Sequence, residues 1–310
     1  MGVFFVSIAA LFTAYQNYLL RRSTDSGGST KAYLTLQFFS AFFLMILLNP
    51  VRTNNYSFNP SICFLGLFAG IILGIMLLSL GLAFHKGPVG LTIATLNSST
   101  IMPAIVMATL FGAAFGHTYT LYHGIGSLFV LSGLFWAGRG LSGMSSFKQW
   151  FSFIGLAFIF HVIFLVIMQW RVLLITAPDL SPFYRLMTIN EAKSEWFMPM
   201  IYLGAFLFQF IVYAISEKRF PTSIETGYGL IGGIANGCST FFLIQATQYA
   251  SKIENGMIFP IFSVLIIVFC NLWGSYLYKE KPNWRATQLC MFGLIIGTVD
   301  WNSVVKALGY

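Results

Sequence analysis

Ten apolar stretches recur along this chain, each near the length at which a helix crosses a bilayer: residues 2–20, 32–50, 61–84, 88–111, 119–138, 149–173, 199–215, 227–249, 256–278 and 286–303. A hydrocarbon core about 30 Å thick needs roughly 20 apolar residues as a helix. Little sequence is left for a water-soluble domain, and only 8% of the residues are charged. With 57% hydrophobic residues and 33 phenylalanines, the solvent of this chain is lipid. Backbone polar groups in lipid must be satisfied within their own segment or in a closed sheet, and runs of this length fit helices rather than the shorter alternating strands of a barrel. The predicted fold is all-α, a polytopic membrane protein with ten transmembrane helices.

The formal charge of +8 does not mark a nucleic-acid surface, because the 17 basic residues stand singly or in pairs between apolar runs. Charges placed so set topology, and no nucleic-acid partner is expected. Arg21, Arg22, Lys31, Lys86, Arg139 and Lys148 are among the majority that fall on one side when alternate connections are compared. The positive-inside rule then puts both termini outside the cytoplasm. Cys63, Cys238, Cys270 and Cys290 lie in or beside apolar runs without the spacing of a zinc site, and read as small packing residues. The first run lacks a basic leader and exceeds a signal-peptide core in length, so it reads as the first span. Met1-Gly2 opens like a myristoylation signal, but Val6 stands where Ser or Thr is required.

Glycine spacing divides the chain in two. Gly66, Gly70 and Gly74 recur every fourth residue, as do Gly229, Gly233 and Gly237. Each stripe lets helix backbones approach closely in lipid. A hairpin follows in each half, HKGPVG and SKIENG, leading into runs that carry Pro103 and Pro260, and Gly133 and Gly297 close the halves at matching distances. The joint is the Ser/Gly-rich segment 139–148, which separates a first five-helix repeat, 1–140, from a second, 141–310. Consecutive five-span repeats in one membrane point opposite ways, the inverted-repeat plan of many secondary transporters, with a site at the repeat interface. The long connection 174–198 includes FYRLMTINEAKSEWF, which reads as an interfacial surface helix.

The segment from Asn255 to Val299 resembles the closing part of the drug/metabolite transporter superfamily. EamA-type repeats there end in a Pro-containing helix, an acidic-Lys-Pro turn and a Gly-rich last helix, matched here by Pro260, by Glu280-Lys281-Pro282, and by Gly293 with Gly297. The first half matches loosely, since Pro103 is in place but GHTYT at 116–120 has neither the glutamate nor Lys-Pro. The resemblance implies two inverted EamA-like repeats and a central cavity lined by the first four helices of each half. It further implies secondary transport of small metabolites across the cell (inner) membrane and cytoplasmic termini, the opposite of the charge reading.

Polar side chains in mid-span are costly unless they face a cavity or a partner, so they are the candidates for function. Asn236 and Thr240 share a helical face with Gly229 and Gly233, with Ser239 beside it. They serve either substrate contact or helix-to-helix hydrogen bonding. Asn97 and Ser99 lie in the fourth run with Thr92 and Thr95, close to Pro103, which is a hinge or a structural kink. Pro260, nearer its helix start, is the weaker hinge. His161 is the ionisable residue closest to a span centre, and either couples proton movement or sits neutral in a hydrogen bond. Tyr15, Gln16 and Asn17 near the end of the first run, and Gln169 and Arg171 near the end of the sixth, occupy comparable places in the two halves. Arg171 either orients a ligand or snorkels to headgroups. Asn271 and Gln245 complete the set.

No Walker motif, HExxH, paired mid-membrane aspartates or Ser-His-Asp constellation occurs, so no cofactor or metal is expected and an embedded enzyme is disfavoured. A cavity poor in fixed charge and rich in aromatics suits a neutral or zwitterionic solute such as an amino acid, a nucleoside-like compound or an S-adenosylmethionine-like sulfonium. A multiply phosphorylated ligand would require an Arg/Lys cluster. The expected protein is a secondary transporter or exchanger, monomer or homodimer; the rival is a non-transporting polytopic enzyme or assembly protein.

Overall fold

The computed structural model describes residues 1–112, 120–139, 146–176, 187–249, 258–279, 281, 283–299, 301 and 304–305. All regular structure among them is helical. In chain order the helices are α1 (Gly2–Asp25), α2 (Thr30–Ile46), α3 (Pro60–Phe84), α4 (Val89–Ser98), α5 (Met102–Phe111), α6 (Leu121–Arg139), α7 (Phe147–Thr176), α8 (Ile189–Ala192), α9 (Phe197–Glu217), α10 (Ser223–Tyr249), α11 (Ile258–Tyr278) and α12 (Trp284–Thr298). A wide π turn over Leu47–Val51, which contains Pro50, extends α2, and a tight turn over Ser99–Ile101 joins α4 to α5. Counting α4 and α5 as one segment, eight helices among the described residues are long and apolar enough to cross a membrane. This is the build of a polytopic membrane protein. The fifth and tenth apolar runs lie on α6, whose apolar stretch is shorter, and on α12, of 15 residues.

Two expectations are corrected. The tenth run was expected to reach residue 303, but Val299 already has extended backbone, with ψ of 131°, and α12 stops at Thr298. The interfacial helix over 183–197 shrinks, within the described residues, to the single turn Ile189–Ala192. Thr188 and Glu191 cap that turn reciprocally, but Ser194 turns its hydroxyl away to the Ser57 carbonyl and the chain kinks into α9. The Glu280-Pro282 pair of the acidic-Lys-Pro turn, the SKIENG hairpin and most of GHTYT lie outside the described residues.

Helix starts follow their sequence signals. Ser29 accepts the Lys31 N–H at the head of α2, and Asn59 accepts the N–H groups of Ser61 and Ile62 at the head of α3, with Pro60 in the first helical position. Lys218, in the left-handed conformation at φ 49°, turns the chain out of α9.

The glycine stripes are packing surfaces. A methyl group at Gly66, Gly70 or Gly74 would strike α9 at Met200, Ile201 and Phe208 in turn, so α3 and α9 run side by side in the same direction. Gly229, Gly233 and Gly237 meet α2 at Leu36, Gln37 and Leu44, again in the same direction. In lipid, where no hydrophobic exclusion draws helices together, such close backbone approach supplies the dispersion contacts that do. α1 runs antiparallel to α10, with Phe5 against Tyr249 at one end and Ser29 against Glu225 at the other. α6 and α12 cross through facing glycines, Gly126 on Gly297 and Gly133 on Cys290. Phe4, Phe64, Phe68, Leu128 and Phe210 point outward, as side chains solvated by acyl chains do.

Candidate functional site

Among the described residues, four polar groups lie between helices of the bundle. The first depends on the break between α4 and α5. Pro103 has no N–H to offer the carbonyl four residues earlier, that of Ser99, and the chain tightens into a 3₁₀ turn there. The fully buried Ser99 hydroxyl donates to the Leu96 carbonyl at 2.6 Å and meets His161 Nδ1 of α7 at 2.6 Å. Nδ1 also lies 3.2 Å from the Leu96 carbonyl. A carbonyl only accepts, so Nδ1 carries the proton and Nε2 is the basic nitrogen. Thr92, one turn from the start of α4, receives the Trp150 indole N–H at 2.9 Å and fixes the other end of the same interface.

The second group joins α1 to α10: the Ser239 hydroxyl lies 2.5 Å from Thr13 Oγ1 and donates to the Ala9 carbonyl at 2.8 Å. In the third, Tyr202 of α9 meets Thr240 Oγ1 at 2.7 Å and donates to Asn236 Oδ1 at 3.4 Å. The face predicted on α10 therefore serves three neighbours, with its glycines on α2, Asn236 and Thr240 on α9, and Ser239 on α1. In the fourth, the buried Asn17 of α1 and the buried Cys270 of α11 lie on two helices packed against each other. One residue on, Asn271 presses its carbonyl oxygen against Gly90 of α4, and its amide nitrogen has no partner among the described residues.

The remaining candidates are placed differently. Gln16 is buried and contributes its main-chain carbonyl to the Tyr33 hydroxyl at 3.1 Å. Asn97 donates to the Ile93 carbonyl of its own helix at 2.9 Å. Tyr15 is exposed and stacks on Tyr18, and Gln169 is exposed on α7. Arg171 donates to the Ala192 carbonyl at 3.0 Å and lies over the Phe197 ring at 4.3 Å, so it clamps α7 to α8 and α9. Pro260 is the third described residue of α11 and leaves that helix unbroken. Sequence reasoning missed Thr13 and Tyr202. A tyrosine hydroxyl inside an apolar run was the available signal for Tyr202, since it needs a partner when buried, though Tyr213 shares that run.

Each group consists of neutral hydroxyl, amide, imidazole or thiol donors and acceptors, chemistry that binds uncharged or zwitterionic polar groups and offers no fixed charge for a phosphate.

No family model matches the chain, and no curated protein matches it. Among solved structures, 23 chains match. One, described only as "Crystal structure of protein", superposes with a TM-score of 0.55 at 14% identity, covering 96% of this chain and 98% of its own. The likeness is one of fold, carried over nearly the whole of both chains.

Proposed function

We propose that this chain is a secondary transporter or exchanger of the drug/metabolite transporter kind. It moves a small organic metabolite, of the amino-acid, nucleoside-like or S-adenosylmethionine-like class, by alternating access between two inverted five-helix halves, 1–140 and 141–310. Ten spans are counted with α4 and α5 as one segment and with α6 and α12 as fifth helices outside the centre. The substrate is held among α1, α4, α7, α9, α10 and α11, where the neutral polar groups lie.

The observation that supports this reading is the exchange symmetry of the principal helix packings. α1 on α10 has its counterpart in α7 on α3, α2 on α10 in α9 on α3, and α1 on α11 in α7 on α4 and α5. The pairs α2–α9, α4–α11 and α6–α12 are their own counterparts. The register agrees: the shift along the chain that carries Gly133 onto Gly297 also carries Gly126 onto Cys290, so the crossing of α6 and α12 maps onto itself. Two halves related in this way have two equivalent arrangements about a shared centre, which is what alternating access requires.

Reconstituted protein tests the reading. Proteoliposomes preloaded with unlabelled solute should accumulate its labelled form by counterflow for one class among amino acids, nucleosides and S-adenosylmethionine. Absence of counterflow across that panel, from protein that remains monodisperse and helical, would overturn it. In the active system, His161→Gln examines coupling: a pH profile of uptake identical to that of the unmodified protein removes His161 from that role.

A further inference from the structure

Opposite ends of the bundle carry two polar fastenings built on the same plan. Each starts from a reciprocal cap in which a threonine hydroxyl accepts the N–H of a glutamate three residues on, and that glutamate's Oε2 accepts the threonine N–H. The pairs are Thr222 with Glu225 at the head of α10 and Thr188 with Glu191 at the head of α8, with Oε2 contacts of 2.6 Å in both. In each case the other oxygen, Oε1, reaches across to residues 1–140. Glu225 Oε1 accepts the Ser29 N–H at 2.7 Å, between α1 and α2, and Glu191 Oε1 accepts the Asn59 Nδ2 at 3.1 Å, between α2 and α3. Since α2 separates Ser29 from Asn59 by a full span, the fastenings lie at opposite membrane faces.

They differ in strength. The Glu225 side chain is 0% exposed and also takes both Arg219 guanidinium nitrogens, at 2.8 and 2.6 Å, while the Ser29 hydroxyl donates to Glu217 at 2.7 Å. A buried carboxylate held bidentately by a half-exposed guanidinium, with every lone pair engaged, is costly to release. Glu191 is partly exposed and has no cationic partner among the described residues; the Ser194–Ser57 and Trp196–Tyr56 hydrogen bonds at 3.1 and 3.3 Å support it.

We propose that these are the two gates' bolts, both engaged in this structure, the Glu225 bolt holding its face shut more tightly than the Glu191 bolt holds the other, so that releasing one face tightens closure at its opposite. The proposal rests on the transport reading for its purpose, but its test is a distance.

Spin labels at Ser26→Cys and Ser223→Cys report the Glu225 face, and labels at Thr53→Cys and Lys193→Cys report the Glu191 face, in lipid nanodiscs with Cys238→Ala and the buried thiols left in place. In the parent protein the Glu191 face should give the broader distance distribution. Glu225→Gln, which sets an amide against Arg219, should lengthen the distance at its own face by about 5 Å, on the scale of a helical-turn displacement, and narrow the distribution at the far face. Asn59→Asp, which keeps the α3 cap but opposes Glu191, should do the reverse. A change confined to the mutated face, the mark of a mere cap, overturns the proposal, and so does no change at either. Should Glu225→Gln fail to fold, Arg219→Lys must give the same reciprocal pattern at smaller amplitude, and its absence is equally fatal. Reciprocal shifts without counterflow of any solute would retain the bolts and remove the transport reading; counterflow with unmoved distances would remove the bolts alone.

Discussion

The fourth and ninth apolar runs carry Pro103 and Pro260 inside their helical segments, yet only one of them breaks. Pro103 lies well inside 88–111, where its missing N–H falls in the hydrogen-bonded interior, and the helix gives way to the 3₁₀ turn Ser99–Ile101. Pro260 is the third described residue of α11, and α11 continues unbroken to Tyr278. The same residue type therefore coincides with a break in one half and leaves the helix intact in the other. At the break, a polar neighbour compensates for lost backbone order, because Ser99 and the Leu96 carbonyl engage His161 from α7. α11 needs no such help, and Asn271 is free to face α4.

The two segments meet at Gly90, and the largest effect is expected there. A side chain at Gly90 overlaps the Asn271 amide, so Gly90→Val must push α4 from α11 at a cost of about 3 kcal/mol. An apparent Tm in detergent within a degree of the parent would show that the broken and unbroken segments do not depend on each other's position. His161→Leu comes next. It strips Ser99 of its partner on α7 and should cost about 1.5 kcal/mol in the same assay, whereas His161→Gln, which retains a donor, should recover most of that loss. Equal losses for both would mean that ring packing, not the hydrogen bond, compensates the break.

How much of this contrast was legible in sequence depends on whether the signal was local. The break near Pro103 and the intactness near Pro260 follow from position within a run, which is a property of neighbouring residues. The glycine stripes were equally legible, since four-residue spacing states which helix face is flat, though not that α3 would seat on α9 and α10 on α2. Partnerships across the chain were not legible. Nothing near Glu225 in sequence names Ser29, and in a chain with 14 tyrosines nothing singled out Tyr202 as the partner of Thr240. The partner of Arg171 was equally illegible, since a basic residue at a helix end normally seeks headgroups, while here a carbonyl left by the short α8 and the Phe197 face lie nearer. Exposure of Tyr15 and Gln169 likewise reflects helix rotation, which an almost uniformly apolar span does not encode.

The smallest effects sharpen the comparison most, because they set one proline against the other. Pro103→Ala restores the N–H that the Ser99 carbonyl lacks and should let α4 run into α5 as one helix, raising stability by about 1 kcal/mol. If the break is a working hinge, counterflow should fall about tenfold while the protein becomes more heat-resistant, the trade expected where function needs a strained segment. Pro260→Ala, in a helix that runs unbroken past the proline, should shift stability by no more than about 0.5 kcal/mol and leave counterflow within twofold. A Pro260→Ala variant as impaired as Pro103→Ala would mean that α11 bends during the cycle in a way its straight form conceals, and that the two halves share one hinge mechanism after all.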